Sequence, residues 1–216
     1  MRLRLTHYGA DVVMATSLVC CVGVGLTSVY FLPALPIVAL VWLWVLYFFR
    51  DPNRRVPEDA AALLAPADGK IVAVERTRDL EDLPGECWRV DIFLSIFNVH
   101  INRAPCSGSV ERISYRKGEF LNALRAEAAA RNERNDVLLR TPSGVPVLVR
   151  QIAGVIARRI VCDCVVGDSL ERGERFGMIR FGSRTELYIP VDAVKELCVS
   201  LGRHVRAGTT ILGELR

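Results

Sequence analysis

A run of 38 residues without a charged side chain, from Val12 to Phe49, constrains the fold of this 216-residue chain more than any other feature. The run is too long and too apolar for a core helix of a soluble protein, and it is typical of membrane-embedded sequence. Pro33 and Pro36 interrupt it near the middle, which favours two helices joined by a tight turn over one very long span. The sequence therefore predicts a membrane-anchoring hydrophobic helical hairpin over residues 1–50.

Positive charges flank both ends of this hairpin. Arg2 and Arg4 precede it, and Arg50, Arg54 and Arg55 follow it. The positive-inside rule therefore places both ends in the cytoplasm. The first half is long enough to cross a bilayer and the second is marginal, so a hairpin that spans the membrane and one that only inserts into it both remain open. A cleaved signal peptide fits less well, because the apolar sequence is far too long.

The polar remainder, residues 51–216, is predicted to form one mainly β domain, a compact β-sandwich or barrel. Short segments rich in Val, Ile, Arg and Tyr alternate with turn sequences, as in strands. Only Phe120–Asn132 is predicted as a helix, because it is rich in alanine and its leucines recur at helical spacing. The turns Pro66–Ile71 and Arg206–Leu212 resemble those of lipoyl-type domains, which indicates a hybrid, lipoyl-like fold. The predicted strands are Lys70–Glu75, Cys87–Leu94, Gly108–Tyr115, Asp136–Thr141, Val145–Ile152, Ile156–Cys164, Arg175–Phe181, Glu186–Ile189 and Thr210–Leu215.

The charge and the cysteine content limit the classes of binding partner and indicate the state of the thiols. The formal net charge of +4 is spread along the chain, so nucleic-acid binding is not indicated, whereas attraction to an anionic lipid surface is compatible with it. Seven cysteines without a framework spacing indicate reduced thiols in a cytoplasmic setting. Cys162 and Cys164 would point to one face of a strand, but no nearby ligand pair completes four ligands, so no metal site is predicted.

The Gly182-Ser183 bond is the candidate reactive element. It lies at a tight junction between two predicted strands. Glycine leaves its carbonyl carbon unshielded and tolerates strained backbone angles, while the next residue supplies a hydroxyl within reach of that carbon. An N-to-O acyl shift needs this arrangement.

The run around this bond, Glu174–Pro190, resembles the self-processing site of the phosphatidylserine decarboxylase family in its short bacterial and archaeal form. Ala65–Ile71, Phe97–Pro105 and Asn132–Asn135 also resemble blocks of that family, in the same order. The resemblance covers most of the chain from about residue 50 onward.

The resemblance implies that Ser183 attacks the Gly182 carbonyl and that β-elimination then cuts the chain into 1–182 and 183–216. Ser183 would become a covalent pyruvoyl group, which forms a Schiff base with phosphatidylserine and draws electrons from the bond to the departing carboxylate, leaving phosphatidylethanolamine. The expected partners are the phospholipid substrate, the membrane, and the two fragments as a heterodimer open to further assembly. A cell-membrane protein with its catalytic domain on the cytoplasmic face is expected.

Further site residues follow from the matched blocks. His100 matches the first histidine of a two-histidine block in the longer branch of the family, and Asp68 resembles the acid of an Asp-His-Ser arrangement for self-cleavage. Arg103 stands where the second histidine would be, so the arrangement cannot be transferred whole. His100 in both steps is favoured, and His204, a water or backbone strain are the alternatives. Arg103 and Asn98 are the predicted substrate-binding residues, since an arginine can hold a carboxylate or phosphate.

Two other classes of function compete. A membrane-tethered lipoyl-like carrier or adaptor without catalysis would need a lysine at a hairpin tip, and neither Lys70 nor Lys195 has that setting. A serine hydrolase would need a Gly-x-Ser-x-Gly elbow followed by a helix, which Ser183 lacks. Both rank behind the decarboxylase.

Overall fold

The computed structural model describes residues 4–30, 32–78, 80, 83–125, 127–155, 159–180 and 182–216. They form two compact units, of which the smaller ends at Asn53 and the larger begins at Arg54. Arg2, Ile156 and Phe181, which the sequence analysis used, lie outside the described residues.

The smaller unit is a pair of apolar helices. Helix α1 spans Ala10–Tyr30, helix α2 spans Leu35–Phe48, and a 3₁₀ turn, Leu32–Ala34, joins them. Pro36 lies in the first turn of α2, where a backbone N–H would have no helical acceptor. The predicted helical hairpin is confirmed.

The two ends of the hairpin are joined by backbone hydrogen bonds. The Thr6 N–H donates to the Phe49 carbonyl at 3.0 Å, and the Asp51 N–H donates to the Arg4 carbonyl at 2.6 Å. Among the described residues, one helical segment, His7–Leu26, is long and apolar enough to cross a membrane, and the second helix is shorter. Insertion of this unit into a membrane stays a prediction.

The larger unit is mainly β, as predicted. All nine predicted strands overlap observed ones, and five further strands of two to four residues were not predicted because so few residues show no period. The strands of the described chain are β1 Ala62–Leu64, β2 Gly69–Thr77, β3 Cys87–Leu94, β4 Ile101–Arg103, β5 Gly108–Arg116, β6 Arg134–Arg140, β7 Pro146–Ala153, β8 Arg159–Cys162, β9 Ser169–Leu170, β10 Arg175–Arg180, β11 Ser183–Pro190, β12 Val194–Leu197, β13 His204–Val205 and β14 Ile211–Leu215.

One large sheet organises this unit. Its eight strands follow the order β13-β2-β3-β11-β7-β6-β5-β9, and two smaller sheets have the orders β1-β14-β12 and β4-β10-β8. Strand β11 lies inside the large sheet and pairs antiparallel with β3 from Ser183 to Pro190 and with β7 from Ser183 to Tyr188. Its first residue is therefore held from both sides.

Side chains of β11 alternate between two different environments. Leu187 and Ile189 belong to the main hydrophobic core, and the two-residue period of a strand puts Ser183 and Thr185 on the same face. The intervening residues, beginning with Arg184, point to the opposite face. Every residue from Ser183 to Ile189 is buried, so both faces of the strand are covered.

The predicted helix over Phe120–Asn132 is wrong in length. Of the residues that the structure describes in this range, only α3, Ala128–Arg131, is helical. The Asn132 side chain accepts a hydrogen bond from the Leu121 N–H at 2.9 Å and donates one to the Leu121 carbonyl at 2.8 Å. Because both backbone groups of Leu121 are bonded to this side chain, Leu121 does not join a helix, and residues 123–125 form a turn instead.

A buried ionic cluster lies on the polar face of the sheet. Arg150 donates two 2.8 Å hydrogen bonds to Asp136 and a third to the Tyr188 hydroxyl at 3.2 Å, and it lies 3.7 Å from Glu186. Asp136 is 4 % exposed and Glu186 is fully buried. Arg184 also lies 2.7 Å from Glu186 and Arg134 lies 3.8 Å from Asp136, so Arg150 joins two buried carboxylates that each have a second arginine nearby.

Arg150→Met should lower the free energy of unfolding by up to about 3–5 kcal/mol, because it removes both hydrogen bonds that Arg150 donates to the buried Asp136 carboxylate and one of the two arginines beside Glu186. Denaturant titration of the full chain in detergent measures the change. Arg140→Met is the matched control, since the pair that Arg140 forms with Glu111 is exposed and its loss should matter far less. Equal losses in the two variants would contradict this account of the cluster.

Candidate active site

Gly182 and Ser183 form the junction that leads into β11. Gly182 has φ +63, in the left-handed region that favours glycine, so the chain turns there before it enters the sheet. Ser183 is fully buried, and its Oγ has no hydrogen-bond partner among the described residues. A buried hydroxyl without a partner costs about 1–3 kcal/mol, and such groups are often reserved for chemistry.

Gly154 allows the Gly182 carbonyl to approach closely. A Cβ atom on Gly154 would overlap the Gly182 carbonyl oxygen, so no larger residue fits there without a shift of the backbone. The sequence analysis missed this residue. The available signal was a glycine directly after the apolar strand β7, a position that often marks the close approach of another backbone.

His100 is the predicted site residue that the structure brings to this junction. Its ring is fully buried, and Nε2 accepts a hydrogen bond from the Gly182 N–H at 3.3 Å. Nδ1 lies 3.0 Å from the Asn98 carbonyl oxygen, which can only accept, so Nδ1 carries the proton. The ring is thus held as the neutral tautomer with the Nε2 lone pair directed toward Gly182.

Asn98 fixes the turn that precedes His100. Its side-chain oxygen accepts hydrogen bonds from the Ser95 N–H at 2.9 Å and the Ser95 hydroxyl at 2.7 Å. The same residue therefore orders the loop with its side chain and holds His100 with its carbonyl. These contacts explain its position, and its predicted contact with substrate stays a prediction.

Asp68 and Arg103 are buried near the turns that join the smaller sheets. The Asp68 carboxylate accepts hydrogen bonds from Arg54 at 2.7 Å and from the Ala207 N–H at 2.8 Å. Arg103 donates to the Gly173 carbonyl at 2.9 Å. These contacts orient both side chains, and the roles of Asp68 in self-cleavage and of Arg103 in substrate binding stay predictions.

His204 is placed away from the junction. It is exposed on β13 and pairs with Lys70 of β2. Lys70 pairs with Phe93 of β3, and Phe93 pairs with Arg184 of β11. Three strand spacings correspond to about 14 Å. The geometry therefore does not favour His204 as the base for Ser183.

A chain of buried amides supports the face of β11 that carries Ser183. Asn135 donates to the Gln151 side chain at 3.0 Å, Gln151 donates to Asn102 at 2.9 Å, and Asn102 donates to the Thr185 hydroxyl at 3.0 Å. All three amide side chains are at most 2 % exposed. The sequence analysis missed this chain because its members are separated by up to 83 residues.

A small cavity of about 250 Å³ opens beside Gly182. Arg184 fixes one of its walls by donating to the carbonyls of Ala123 at 2.9 Å and Arg125 at 3.3 Å. The cavity volume is below the usual range for drug-sized ligands, about 300–1,000 Å³, and suits a small head group. It is lined by Phe93, Leu94, Ser95, Ile96, Asn122, Ala123, Gly154, Val155 and Gly182.

Cys162 and Cys164 lie close together as free thiols. Their sulfur atoms are 3.5 Å apart, which confirms that the two side chains share one side of the chain. The hydrogen bond with Cys164 lowers the pKa of Cys162 to about 7, and Asn135 adds to this while burial opposes it. Among the described residues, no group of three or more His, Cys, Asp or Glu side chains is arranged to hold a metal ion.

Comparison with known proteins gives one consistent result. A family model described as phosphatidylserine decarboxylase matches residues 42–213. A phosphatidylserine decarboxylase proenzyme of Desulfotalea psychrophila is 48% identical over 82% of this chain and 81% of its own length. The proenzyme of Magnetococcus marinus is 49% identical over 80% of this chain and 78% of its own length. That of Syntrophus aciditrophicus is 42% identical over 97% of this chain and 96% of its own length.

The carboxylate of Asp91, which pairs with Glu186 of β11, should titrate in an unusual range. Burial, together with the neighbouring Glu186, raises the pKa of Asp91 to about 6, although Arg89 and Arg184 oppose the shift. In the unfolded chain Asp91 loses its proton near pH 4, so between about pH 4 and 6 the folded state binds more protons. The stability of the parent should therefore fall by up to roughly 3 kcal/mol as the pH rises through this window.

Asp91→Asn removes this titration, so its melting temperature relative to the parent should rise from about pH 4 to 6 and level off above. Thermal unfolding of the two full chains in detergent across this range measures the difference. Asp192→Asn, at an exposed residue, is the control for the substitution itself. A difference that falls with rising pH would show that the folded protein lowers the pKa of Asp91.

Proposed function

Because the chain belongs to the phosphatidylserine decarboxylase family, we propose that it converts phosphatidylserine to phosphatidylethanolamine through a pyruvoyl group made from its own Ser183. The resemblance noted in the sequence is confirmed by the family model and by the proenzymes matched over most of the chain. The self-cleavage, the pyruvoyl group and the residue roles are the parts proposed here.

The observation that carries the proposal is the buried Ser183 hydroxyl beside a glycine in the left-handed conformation. In the proposed reaction, Ser183 Oγ bonds to the Gly182 carbonyl carbon, the peptide C–N bond breaks, and the Ser183 nitrogen takes up a proton. Loss of the Ser183 Cα proton then expels the Gly182 carboxylate and leaves dehydroalanine. Water replaces its nitrogen, which departs as ammonia, and the pyruvoyl group remains.

His100 is proposed as the base for the first step. Its Nε2 lone pair accepts the weakly held Gly182 N–H, and the Asn98 carbonyl keeps the proton on Nδ1. A shift of this acceptor to the Ser183 O–H would activate the hydroxyl. Asp68 is proposed as the acidic member of the arrangement, with its carboxylate oriented by Arg54 and Ala207.

The sheet supports two fragments, 1–182 and 183–216, that stay together after the cut. Strand β11 keeps its ladders to β3 and β7, which belong to the larger fragment. Strands β13 and β14 pair with β2 and β1 of that fragment as well. Breaking one bond at the start of β11 removes none of these pairings.

The same residues would hold the pyruvoyl group at the buried start of β11, beside His100 and the small cavity. The group supplies a carbonyl that condenses with a primary amine and accepts the electrons of the bond to carbon dioxide. We propose that the cavity receives the serine head group, that Arg103 and Asn98 contribute to substrate binding, and that His100 returns a proton after carbon dioxide leaves. The buried setting limits access of water to that proton transfer.

The hairpin is proposed to anchor the enzyme in the cell membrane with the catalytic domain on the cytoplasmic face. Support comes from the apolar segment His7–Leu26 and from the arginines that flank the hairpin. The carrier alternative gains no support, because Lys70 lies within β2 and Lys195 within β12, away from a hairpin tip. Ser183 opens a strand, which also differs from the strand-to-helix elbow of serine hydrolases.

Ser183→Ala should leave the chain in one piece, because alanine has no hydroxyl to attack Gly182. The intact mass spectrum of the parent should show two fragments whose masses sum to the full chain plus one water less one ammonia. Ser109→Ala, at an exposed serine of β5, should be cut like the parent. Release of carbon dioxide from phosphatidylserine should follow the cut, and a parent chain that stays whole under native conditions would overturn the proposal.

His100→Gln should slow the cut strongly, because an amide cannot take the Ser183 proton. General-base catalysis typically contributes about 10²–10⁴-fold, so the time course of cleavage should lengthen by that order. His204→Gln is the matched control and should be cut at the parental rate. Parental cleavage in His100→Gln would leave backbone strain or a water as the driving element and would limit His100 to a role in decarboxylation.

A further inference from the structure

Three loops that meet at the cavity beside Gly182 carry exposed apolar side chains at their tips. Phe97 is 62% exposed, Leu124 is 53% exposed and Val155 is 58% exposed. Each lies in or directly beside a segment that lines the cavity. We call these three side chains the apolar rim.

Two loops of the apolar rim are fixed by hydrogen bonds. Arg184 binds the carbonyls on both sides of Leu124, and the Leu124 N–H donates to the Asn122 side chain at 3.0 Å. The turn before Phe97 is closed by the bond from the Asn98 N–H to the Ser95 carbonyl at 2.9 Å. The backbone is therefore held in a form that keeps Leu124 and Phe97 at the surface.

The charges around the apolar rim are complementary to an anionic surface. Arg125 follows Leu124 and is exposed, and Arg159 is exposed at the start of β8. The nearby acids Glu119 and Glu127 both pair with Arg131, at 2.8 Å and 3.6 Å. Apolar side chains at loop tips with adjacent arginines suit the boundary between acyl chains and acidic head groups.

We propose that the apolar rim docks on an anionic phospholipid bilayer and presents the cavity to the head groups of that bilayer. The proposal rests on the proposed function, in that the reacting amine belongs to a lipid head group. A head group could then reach the junction while its acyl chains stay in the membrane. The rim thereby selects bilayer lipid over soluble head groups without adding a contact to the reacting atoms.

The first test compares two substrates with the full chain reconstituted in vesicles. Leu124→Glu should be cut like the parent by intact mass and should act normally on a short-chain phosphatidylserine below its micelle concentration. Its activity on bilayer phosphatidylserine should fall about tenfold or more, since burial of one leucine is worth one to two factors of ten. Leu201→Glu, at a residue 71% exposed beside the edge strand β13, is the matched control and should act normally on both substrates.

The second test does not depend on activity. An environment-sensitive fluorescent amino acid is placed at position 124 or at position 201 of the full chain, in vesicles that contain phosphatidylglycerol and lipids with a quencher on the acyl chain. Quenching at 124 and its absence at 201 would support docking, whereas equal fluorescence at the two positions would overturn it. Failure of the proposed function would give a different result, namely a parent protein that stays uncut or is inactive on the short-chain substrate.

Two further outcomes would also overturn the proposal. Equal activity of Leu124→Glu and parent on bilayer lipid would show that the rim does not contribute. A detergent-soluble parent dimer that dissociates in Leu124→Glu, without quenching at position 124 in vesicles, would assign the apolar rim to contact with a second copy of the chain.

Discussion

The site depends on the placement of Ser183 as the first residue of a strand that is paired on both sides. The ladders to β3 and β7 fix its backbone, while Gly182, directly before it, has a positive φ that differs from the extended backbone of the strand. For a serine further along β11, the preceding carbonyl would take part in the cross-strand hydrogen bonds of the sheet. A serine in an open loop would not have a fixed position. The junction therefore combines a held hydroxyl with a backbone that is not part of the ladder.

The two-residue period of β11 gives its two faces different side-chain contacts. Ser183 and Thr185 face the core, where the amide chain ends on the Thr185 hydroxyl through Asn102. Arg184 faces the other way and fixes the loop that carries Ala123. Arg184, directly after Ser183, thus shapes the cavity from the opposite side of the sheet, and substitutions at Arg184 would disturb the cavity without touching the Ser183 hydroxyl.

The sequence could predict the strands because their turns and alternation are signals within a short segment. It could also predict Gly182, Ser183 and His100 as a group, because each lies in a block of consecutive residues that resembles the family. The helix over Phe120–Asn132 failed because a side chain, Asn132, competes with the helix for the Leu121 backbone. The role of Gly154 was missed for a different reason: the carbonyl that it accommodates is 28 residues further along the chain and is brought near by the pairing of β7 with β11.

The arginine at position 103 has a consequence for how one histidine can serve two steps. Arg103 is 5 % exposed and is bound to the Gly173 carbonyl, and its side chain packs so closely that a Cβ on Gly208 would press against it. Arg103 thus joins β4 to the turn before β10, and a histidine at this position would lose that contact. In the proposed reaction self-cleavage is complete before any substrate reacts, so His100 can act as the base in the first step and as the proton donor in the second. We infer that separation in time, with the same imidazole held by the Asn98 carbonyl throughout, replaces the second histidine.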